Sequence, residues 1–473
     1  MNLLKALATV SSMTLVSRVL GFIRDAAIAR VFGAGLATDA FFVAFKIPNL
    51  LRRLFAEGAF SQAFVPILAE YKNRRGEAAT RLLVDHVSGV LGIALLLVTA
   101  AGVLAAPLII SISAPGFAAT PEKFQLTVDL LRITFPYLFL ISLTAFASSI
   151  LNTYDKFAVP ALTPALLNIS LIAAALYLSP LMVQPEIALA WGVFIAGVVQ
   201  LVFQLPFLAR MRLLPIPQFK PPHEGVQRIM TLMIPALFGV SVSQINLLLD
   251  TFIASLLVSG SVSWLYFSDR LVELPLGIFG IAIATVVLPS LSRKHADKSP
   301  EQFAATLDWA FRMVLIIAVP ASLALILLSQ PLIITLFQGQ NFSVDDVVKV
   351  TSSLQAYTFG LLAFMAIKVF APGYYSRQDT RTPVRIGIIA MIANMVMNIL
   401  LVFVLDFAHT GLALATSLAA FLNAGLLLHG LYKQGIFRFQ AGWPVFLLRM
   451  LAANTVMSLF LWLVAGDWRS WLE

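Results

Sequence analysis

The sequence predicts an all-helical, polytopic membrane protein built from two similar lobes of six helices. Three observations lead to this prediction. Of the 473 residues, 60% are hydrophobic and only 12% are charged, whereas soluble domains have about 45–50% apolar and about 25% charged residues. Apolar segments of about 20 residues, long enough to cross a bilayer as helices, recur along the chain. The second half of the chain also repeats features of the first half.

The apolar segments predict thirteen membrane-spanning helices, because a helix satisfies its own backbone hydrogen bonds within lipid. We place them at residues 8–32, 37–66, 84–107, 125–150, 160–180, 186–209, 228–257, 262–291, 308–329, 349–375, 384–405, 410–432 and 443–465. Lysine and arginine concentrate in the connections that follow even-numbered spans. By the positive-inside rule, these connections and the N-terminus are expected in the cytoplasm.

An internal repeat organises these spans. Proline-containing motifs recur after 223 or 224 residues, at Pro66 and Pro289, at Pro107 and Pro331, and at Pro160 and Pro383. With six spans in each copy, the two copies have the same orientation in the membrane, a design found in transporters whose site lies between two halves. The repeat predicts lobes at residues 1–220 and 221–435, followed by an additional transmembrane helix within 436–473.

One stretch, from residue 17 to residue 66, combines membrane-like hydropathy with nine charged residues. Six of them are basic, and the set is Arg18, Arg24, Asp25, Arg30, Asp39, Lys46, Arg52, Arg53 and Glu57. A charge at bilayer depth costs from about 2.5 to more than 10 kcal/mol, so it needs a partner or a water-filled cavity. The surplus of positive charge favours a cationic cavity that holds an anionic cargo. Ion pairing among these residues is the alternative.

The eighth predicted span is the repeat partner of the second, and it is also charged. It contains Ser263, Asp269, Arg270 and Glu273. An arginine from the second lobe would let both halves hold one anion. The planar guanidinium suits phosphate because it donates two parallel hydrogen bonds.

Polar residues of the seventh and eleventh spans suggest a different chemistry. Asp250 is a lone carboxylate in an apolar segment, and Asn394 and Asn398 are one helical turn apart. Carboxylate and amide oxygens suit Na⁺, and Asp250 could alternatively carry a proton. The alternative is that these side chains join helices by hydrogen bonds, as polar residues commonly do in membranes.

Several function classes are disfavoured. The sequence has no cysteine, which excludes disulfides and thiol catalysis. It lacks the Gly-Lys-Ser/Thr loop that cradles the phosphates of ATP, so we predict no ATP hydrolysis and no enzymatic activity. The formal net charge of +9 lies mostly in short loops. It therefore reports membrane topology rather than nucleic-acid binding.

Three segments resemble one known family, the MurJ/MviN lipid II flippases. They are SSMTLVSRVLGFIRDAAIARVFGAGLATDAFFVAFKIPNLLRRLFAEGAFSQAFVPILAEY, GVSVSQINLLLDTFIASLLVSGSVSWLYFSDRLVELPLGIFG and APGYYSRQDTRTPV. The resemblance covers essentially the whole chain. It implies the fold of the multidrug/oligosaccharidyl-lipid/polysaccharide exporter superfamily, with two six-helix lobes facing each other as a V. It also implies a multi-pass protein of the bacterial inner membrane.

The function implied by the resemblance is the movement of lipid II, the undecaprenyl-diphosphate-linked disaccharide-pentapeptide, to the periplasmic leaflet for peptidoglycan synthesis. Alternating access of the two lobes would move it, driven by membrane potential or by a Na⁺ or H⁺ gradient, and no other cofactor is expected. The family usually has fourteen spans and uses the last two as a groove for the lipid tail. With thirteen spans predicted here, either the fourteenth is missing or it lies beyond residue 473.

The same resemblance implies roles for individual residues. Arg18, Arg24 and Arg270 match the central cationic triad that holds the diphosphate. The other matched cavity or gate positions, to which we add Asp269 as a neighbour of Arg270, are Asp39, Asn49, Arg52, Arg53, Ser263 and Glu273. The family's sodium site matches Asp250, Asn394 and Asn398.

Two alternatives to lipid II transport stay open at this stage. The same fold could export another lipid-linked oligosaccharide or a drug, although a cation exporter should have an acidic cavity. The protein could instead be a non-transporting membrane scaffold for cell-wall synthesis, which would not need three buried arginines. In each case we expect a monomer that contacts membrane lipids, with peptidoglycan synthases as candidate protein partners.

Overall fold

The computed structural model describes residues 3–219 and 223–471, and within these ranges the regular secondary structure is entirely helical. The all-helical class predicted from the sequence is confirmed. Side chains are described for most of this chain, excepting residues 3–11, 55–57, 236, 238–243, 245 and 281. Clustering of contacts divides the chain into two compact units. Unit 1 contains Met1–Gly260 with Gly339–Asn341, and unit 2 contains Ser261–Gln338 with Phe342–Glu473.

Unit 1 contains ten α-helices within the described residues. They are α1 (Leu3–Phe32), α2 (Leu36–Arg52), α3 (Ser61–Glu70), α4 (Gly76–Leu104), α5 (Ala106–Ser113), α6 (Pro121–Thr134), α7 (Tyr137–Thr153), α8 (Ala158–Ala173), α9 (Ile187–Arg210) and α10 (Glu224–Ser255). Helix α1 packs on α8, and α2 packs on α6. These two pairings place the charged stretch of the sequence inside unit 1.

Unit 2 contains nine α-helices within the described residues. They are α11 (Ser261–Pro275), α12 (Ile281–Ala296), α13 (Pro300–Leu327), α14 (Ser329–Phe337), α15 (Val344–Phe359), α16 (Leu361–Tyr375), α17 (Arg381–Ile399), α18 (Ala408–Lys433) and α19 (Trp443–Ala465). Ten helical segments of the described chain are long and apolar enough to cross a membrane. The protein is therefore a multi-pass membrane protein, as predicted.

The internal repeat is visible in the order of the elements. The helices α1–α9 recur as α10–α18, and corresponding helices begin 220 to 225 residues apart. Two of the π-helical turns recur, whereas the turn at Tyr71–Arg75 matches the regular C-terminal end of α12. A π-helical turn at Arg53–Phe60 has a counterpart at Leu276–Gly280, and one at Ala174–Leu178 has a counterpart at Leu400–Val404. The lobe boundaries at residues 220 and 435 stay a prediction. The division by contacts places α10 within unit 1, because α10 packs on α3 and on the π-helical turn Arg53–Phe60.

Two predicted spans are broken in the structure. The segment predicted as one span at 125–150 is α6 and α7, separated at Phe135 and Pro136, since proline lacks the N–H that would continue the ladder. The segment predicted at 349–375 is α15 and α16, separated at Gly360. A Cβ at Gly360 would lie 2.6 Å from Ser417 Oγ of α18, so only glycine allows this close approach. A hydropathy profile does not detect such breaks, because it averages over many residues.

Aromatic packing fixes the helices beside the charged stretch. Phe60 and Phe64 stack with ring centroids 5.1 Å apart, and Phe146 of α7 lies 5.1 Å from Phe64. All three side chains are buried. Aromatic pairs of this kind contribute about 0.5–1.5 kcal/mol beyond the area that they bury. The π-helical turn that follows Arg52 is therefore held against α7.

The linker between α9 and α10 is attached to the first half of α4. Asp85 accepts hydrogen bonds from the backbone N–H groups of Ile216, at its carboxylate, and Gln218, at its carbonyl, at 2.8 and 3.1 Å. The neighbouring His86 is buried and its ring lies 4.9 Å from that of His223, which precedes α10. The contact between these two histidine rings therefore holds the C-terminal end of the linker against α4.

This linker is expected to loosen in acid. Burial lowers the pKa of His223, and the nearby His86 and Arg75 lower it further, while Glu224 opposes them. A lowered pKa means that the folded state disfavours the proton. The attachment should therefore be firm above about pH 6.5, the ordinary histidine pKa, and weaken as pH falls through the lowered value. The rings of Tyr71 and His86 both face His223, so within the described chain Glu224 alone offsets the new charge.

Amide hydrogen exchange at Ile216 and Gln218, corrected for the intrinsic effect of pH, measures this response. We expect faster exchange at pH 5.5 than at pH 7.5 in the wild type, and a smaller difference in His223→Gln. His295→Gln, which changes an exposed histidine of α12, is the matched control. Equal pH responses in all three proteins would contradict the role of His223.

Candidate functional site

Arg24 of α1 is held in a buried network. Its side chain is only 9% exposed, and its Nε and Nη2 atoms donate to Asp25 Oδ1 at 2.9 and 2.7 Å. Its Nη1 atom donates to Asn168 Oδ1 of α8 at 2.9 Å. Asp25 is 2% exposed, so Arg24 and Asp25 compensate each other within the membrane domain. This network fixes the direction in which the guanidinium points.

Asn168 is a site residue that sequence reasoning missed. Its Nδ2 atom donates to the backbone carbonyl of Ser17 at 2.8 Å, so the amide bridges two points of α1 one helical turn or more apart. The signal in the sequence was a single amide in the otherwise apolar segment of α8. A buried amide in a membrane helix marks a packed contact, but the sequence alone does not say with which helix.

Arg18 differs from Arg24 in having no partner in the described part of the protein. It lies less than two turns before Arg24 on α1 and is half-buried. Among the described residues, it forms no hydrogen bond, ion pair or ring contact. Because α1 belongs to the charged membrane stretch, this guanidinium carries a positive charge that the described protein groups do not compensate. Arg18 is therefore a candidate position for an anion from outside the protein.

Asp39, near the start of α2, is paired with a residue that the sequence analysis did not consider. Its Oδ2 atom accepts from Lys123 Nζ of α6 at 2.7 Å, and from the backbone N–H of Gly260 at 2.7 Å. Lys123 also donates to Ser259 Oγ at 3.1 Å and lies 4.1 Å from the centre of the Phe117 ring. Asp39 and Lys123 are 1% and 5% exposed. Within the described chain, the cation that neutralises Asp39 is thus a lysine of α6.

The last turn of α2 carries the next predicted group. Arg52 donates from Nε and Nη2 to Asn49 Oδ1, at 3.0 and 2.9 Å. Arg53 begins the π-helical turn, where the change of pitch rotates the following side chains relative to α2. All three residues are half-buried. Unit 1 thus brings Asn49 and Arg52 into contact, and their role in substrate binding stays a prediction.

In unit 2, Arg270 lies on α11. Its Nη1 atom donates to Glu273 Oε2, and its guanidinium lies 4.8 Å from the centre of the Tyr266 ring. Ser263 of the same helix is fully buried, whereas Asp269 is exposed. Arg270 therefore pairs with Glu273, and the side chain of Tyr266 supports the planar guanidinium as arginine stacking does. Arg270 and Glu273 lie at 30% and 45% side-chain exposure, so this group is open to ligands.

The residues predicted to bind sodium divide between the units. Asn394 and Asn398 of α17 are buried, and Asn398 Nδ2 donates to Asn394 Oδ1 at 3.1 Å. Asn394 Nδ2 lies 3.5 Å from Thr416 Oγ1 of α18. Asp250 belongs to α10 of unit 1 and is half-buried. Carboxylate and amide oxygens suit a hard cation such as Na⁺, and the sodium site stays a prediction.

Comparison with known proteins places this geometry in a family. The family model for the lipid II flippase MurJ matches residues 28–472. The chain is 51% identical over 480 aligned positions to a protein of Vibrio cholerae serotype O1 named "Probable lipid II flippase MurJ", covering 99% of this chain and 91% of that protein. It is 45% identical to "Lipid II flippase MurJ" of Burkholderia cenocepacia, covering 97% of this chain and 89% of that protein.

Solved structures agree. A lipid II flippase MurJ in an inward closed conformation superposes with a TM-score of 0.80 at 26% identity, covering 98% of this chain and 99% of that one. An inward-facing multidrug resistance transporter of the MATE family, in the MOP superfamily, superposes with a TM-score of 0.73 at 15% identity, covering 91% of this chain and 98% of that one. The latter likeness shows the shared transporter fold only. The family resemblance seen in the sequence is confirmed, and this chain belongs to the MurJ family of lipid II flippases.

Proposed function

We propose that this protein moves lipid II across the bacterial inner membrane, with the diphosphate of the lipid held by Arg18, Arg24 and Arg270. The family membership supports the cargo. The observation that supports the binding mode is the half-buried Arg18, for which the described residues offer no partner. A diphosphate in that place would replace water around the guanidinium with strong, charge-assisted hydrogen bonds. The protein binds and moves its cargo and catalyses no covalent change.

The three arginines have different local support, which suggests different parts in binding. Arg24 is oriented by Asp25 and Asn168, so it presents a fixed donor. Arg270 shares its charge with Glu273, which weakens its attraction for a second anion. Arg18 is uncommitted within the described chain. We therefore assign the largest share of diphosphate affinity to Arg18 and assign Arg24 to alignment of the head group.

Transport requires that the site face each side of the membrane in turn, and we propose alternating access of the two repeat copies. Membrane potential suffices as a bias, since moving one charge through 100 mV is worth about 2.3 kcal/mol. A sodium gradient acting through Asp250, Asn394 and Asn398 is the ion-coupled version of this proposal. Lipid II transport by purified protein in vesicles, compared in sodium and in choline chloride, tests the ion-coupled version, and equal rates would exclude it.

Native mass spectrometry of the purified protein tests cargo and binding mode together. Lipid II is added in the presence of cardiolipin, a competing anionic lipid. We expect selective lipid II binding by the wild type and loss of the selectivity in Arg18→Gln/Arg270→Gln, which leaves the buried pair of Arg24 and Asp25 intact. Arg293→Gln, which removes the same charge from an exposed position at the end of α12, should behave as the wild type.

Either of two results would overturn the proposal. Equal lipid II binding by the wild type and the double variant would mean that these arginines are structural, which favours the scaffold alternative. Selective binding of a different lipid-linked oligosaccharide by the wild type would keep the fold and the arginines but change the cargo.

A further inference from the structure

Helix α19 is attached to unit 2 mainly at one end. Only 6% of its membrane-spanning window is buried within the protein. Its first residue, Trp443, donates from Nε1 to Asp308 Oδ1 of α13 at 2.6 Å. Arg312, one turn further along α13, donates to the carbonyls of Gln440 and Ala441 at 3.2 and 3.0 Å. These contacts hold the start of α19, and most of the rest of the helix is exposed.

Arg312 contacts several groups of the protein at once. Its Nε atom lies 2.9 Å from Asp308 Oδ2, and its guanidinium lies 5.0 Å from the centre of the Trp443 ring and 5.5 Å from that of Phe446. Asp308, Trp443 and Phe446, which lie near this end of α19, therefore already contact a cation. A second cation in the same region has to find its partner elsewhere.

Arg449 is that second cation. It lies six residues after Trp443, or about 9 Å along the helix axis, and its side chain is exposed. Within the described chain it forms no hydrogen bond, ion pair or ring contact. Its neighbours Leu448 and Leu451 are strongly exposed apolar residues, as expected for a lipid-facing surface. An arginine in such a segment needs an anion or water at the membrane interface.

Arg449 lines a groove between α13 and α19 with a volume of about 320 Å³. The groove is otherwise mostly apolar, and its other walls include Ile316, Pro320, Phe446, Asn454 and Met457. Asn454 is the exception on its floor. It is 8% exposed, its Nδ2 atom donates to the Met450 carbonyl at 2.7 Å, and its Oδ1 atom has no hydrogen-bond partner among the described residues. A buried amide oxygen without a donor is unfavourable, so the groove is expected to hold polar or hydrated material that supplies one.

We propose that this groove is a binding site for an anionic glycerophospholipid. The lipid phosphate pairs with Arg449, an acyl chain lies along Ile316, Pro320 and Met457, and hydration water at the glycerol level donates to Asn454 Oδ1. A soluble anion is disfavoured because the groove lies on a helix whose exposed surface is apolar. The groove contains none of the three arginines proposed to bind the diphosphate.

Native mass spectrometry of the purified, delipidated full chain tests this site with two probes. Dioleoylphosphatidylglycerol is anionic, and dioleoylphosphatidylethanolamine has the same acyl chains with a neutral head group. We expect the wild type to prefer phosphatidylglycerol and Arg449→Gln to lose about tenfold in phosphatidylglycerol affinity, the effect of removing one charged hydrogen-bond donor. Arg438→Gln removes the same charge from the exposed loop before α19 and should keep the preference.

A second variant tests the contribution of the groove separately from that of the Arg449 charge. Ala453→Phe fills the groove without changing any charged group, and it should lower the binding of both lipids. Unchanged lipid preference in Arg449→Gln, an equal loss in Arg438→Gln, or unchanged binding in Ala453→Phe would each overturn the proposal. Melting temperatures of the three variants close to that of the wild type establish that loss of binding does not reflect unfolding.

Discussion

Arg18→Gln is expected to abolish lipid II transport without weakening the fold. Arg18 has no partner among the described residues, so its replacement should change the free energy of unfolding by no more than about 0.5 kcal/mol. The same replacement removes a charged donor to the diphosphate and should lower lipid II affinity at least tenfold, as expected for a bond worth about 1.5–3 kcal/mol. Lipid II binding and thermal denaturation of one preparation measure both quantities.

Arg24→Gln provides the contrast, because Arg24 is built into the protein. Removing it leaves the carboxylate of Asp25 buried at 2% exposure without its cation. Breaking a buried ion pair by removing one partner costs about 3–5 kcal/mol. The double variant Arg24→Gln/Asp25→Asn removes both charges and should regain much of the stability but not the transport. A wild-type rate of transport by Arg18→Gln would refute the assignment of this arginine to the cargo.

The second large effect is expected at the ion pair of Asp39 and Lys123. Asp39→Asn should destabilise unit 1 by about 3–5 kcal/mol, because Lys123 would remain charged at 5% exposure. Lys123→Met should have a smaller effect, since Asp39 keeps the hydrogen bond from the backbone of Gly260. In the double variant, the asparagine side chain introduced at position 39 can still accept from Gly260, and neither charge of the pair remains. We therefore expect the double variant to be more stable than Asp39→Asn alone.

A double-mutant cycle measures this coupling directly from thermal or denaturant unfolding. Contacting residues show coupling energies of about 0.5–3 kcal/mol, and a buried ion pair should lie near the upper end. Arg132→Gln/Asp129→Asn, which removes an exposed ion pair on the same helix α6, is the matched control and should show almost no coupling. Strictly additive effects at Asp39 and Lys123 would show that the pair contributes nothing beyond its two members.

The fold could be predicted from the sequence because the determinants of a membrane helix are local. A run of apolar residues and the absence of charge identify a span without any knowledge of its neighbours. The helix breaks are the exceptions, because they involve contacts between residues far apart in the sequence. At Gly360, the helix break serves a close contact with Ser417, 57 positions further along the chain. Hydropathy contains no information about that contact.

The charged site could be predicted in composition but not in pairing. The sequence located Arg18, Arg24, Asp25 and Asp39 in membrane helices, and ion pairing among these residues was the alternative, which Arg24 and Asp25 adopt. The partner of Asp39 lies 84 residues away, and the amide that holds Arg24 lies 144 residues away. Such partners are defined by which helices pack together. A single sequence does not encode that choice in any short-range pattern.

The recurring π-helical turns say something about the history of this protein. A π-helical turn accommodates one more residue than an α-helical turn, so it corresponds to a one-residue insertion within an older, regular helix. The turns at Arg53–Phe60 and Leu276–Gly280 begin 223 residues apart, the spacing of the repeat itself. Independent insertions at matching places in both copies would be a coincidence. The common spacing is explained if the interrupted helix was already part of the unit that was duplicated.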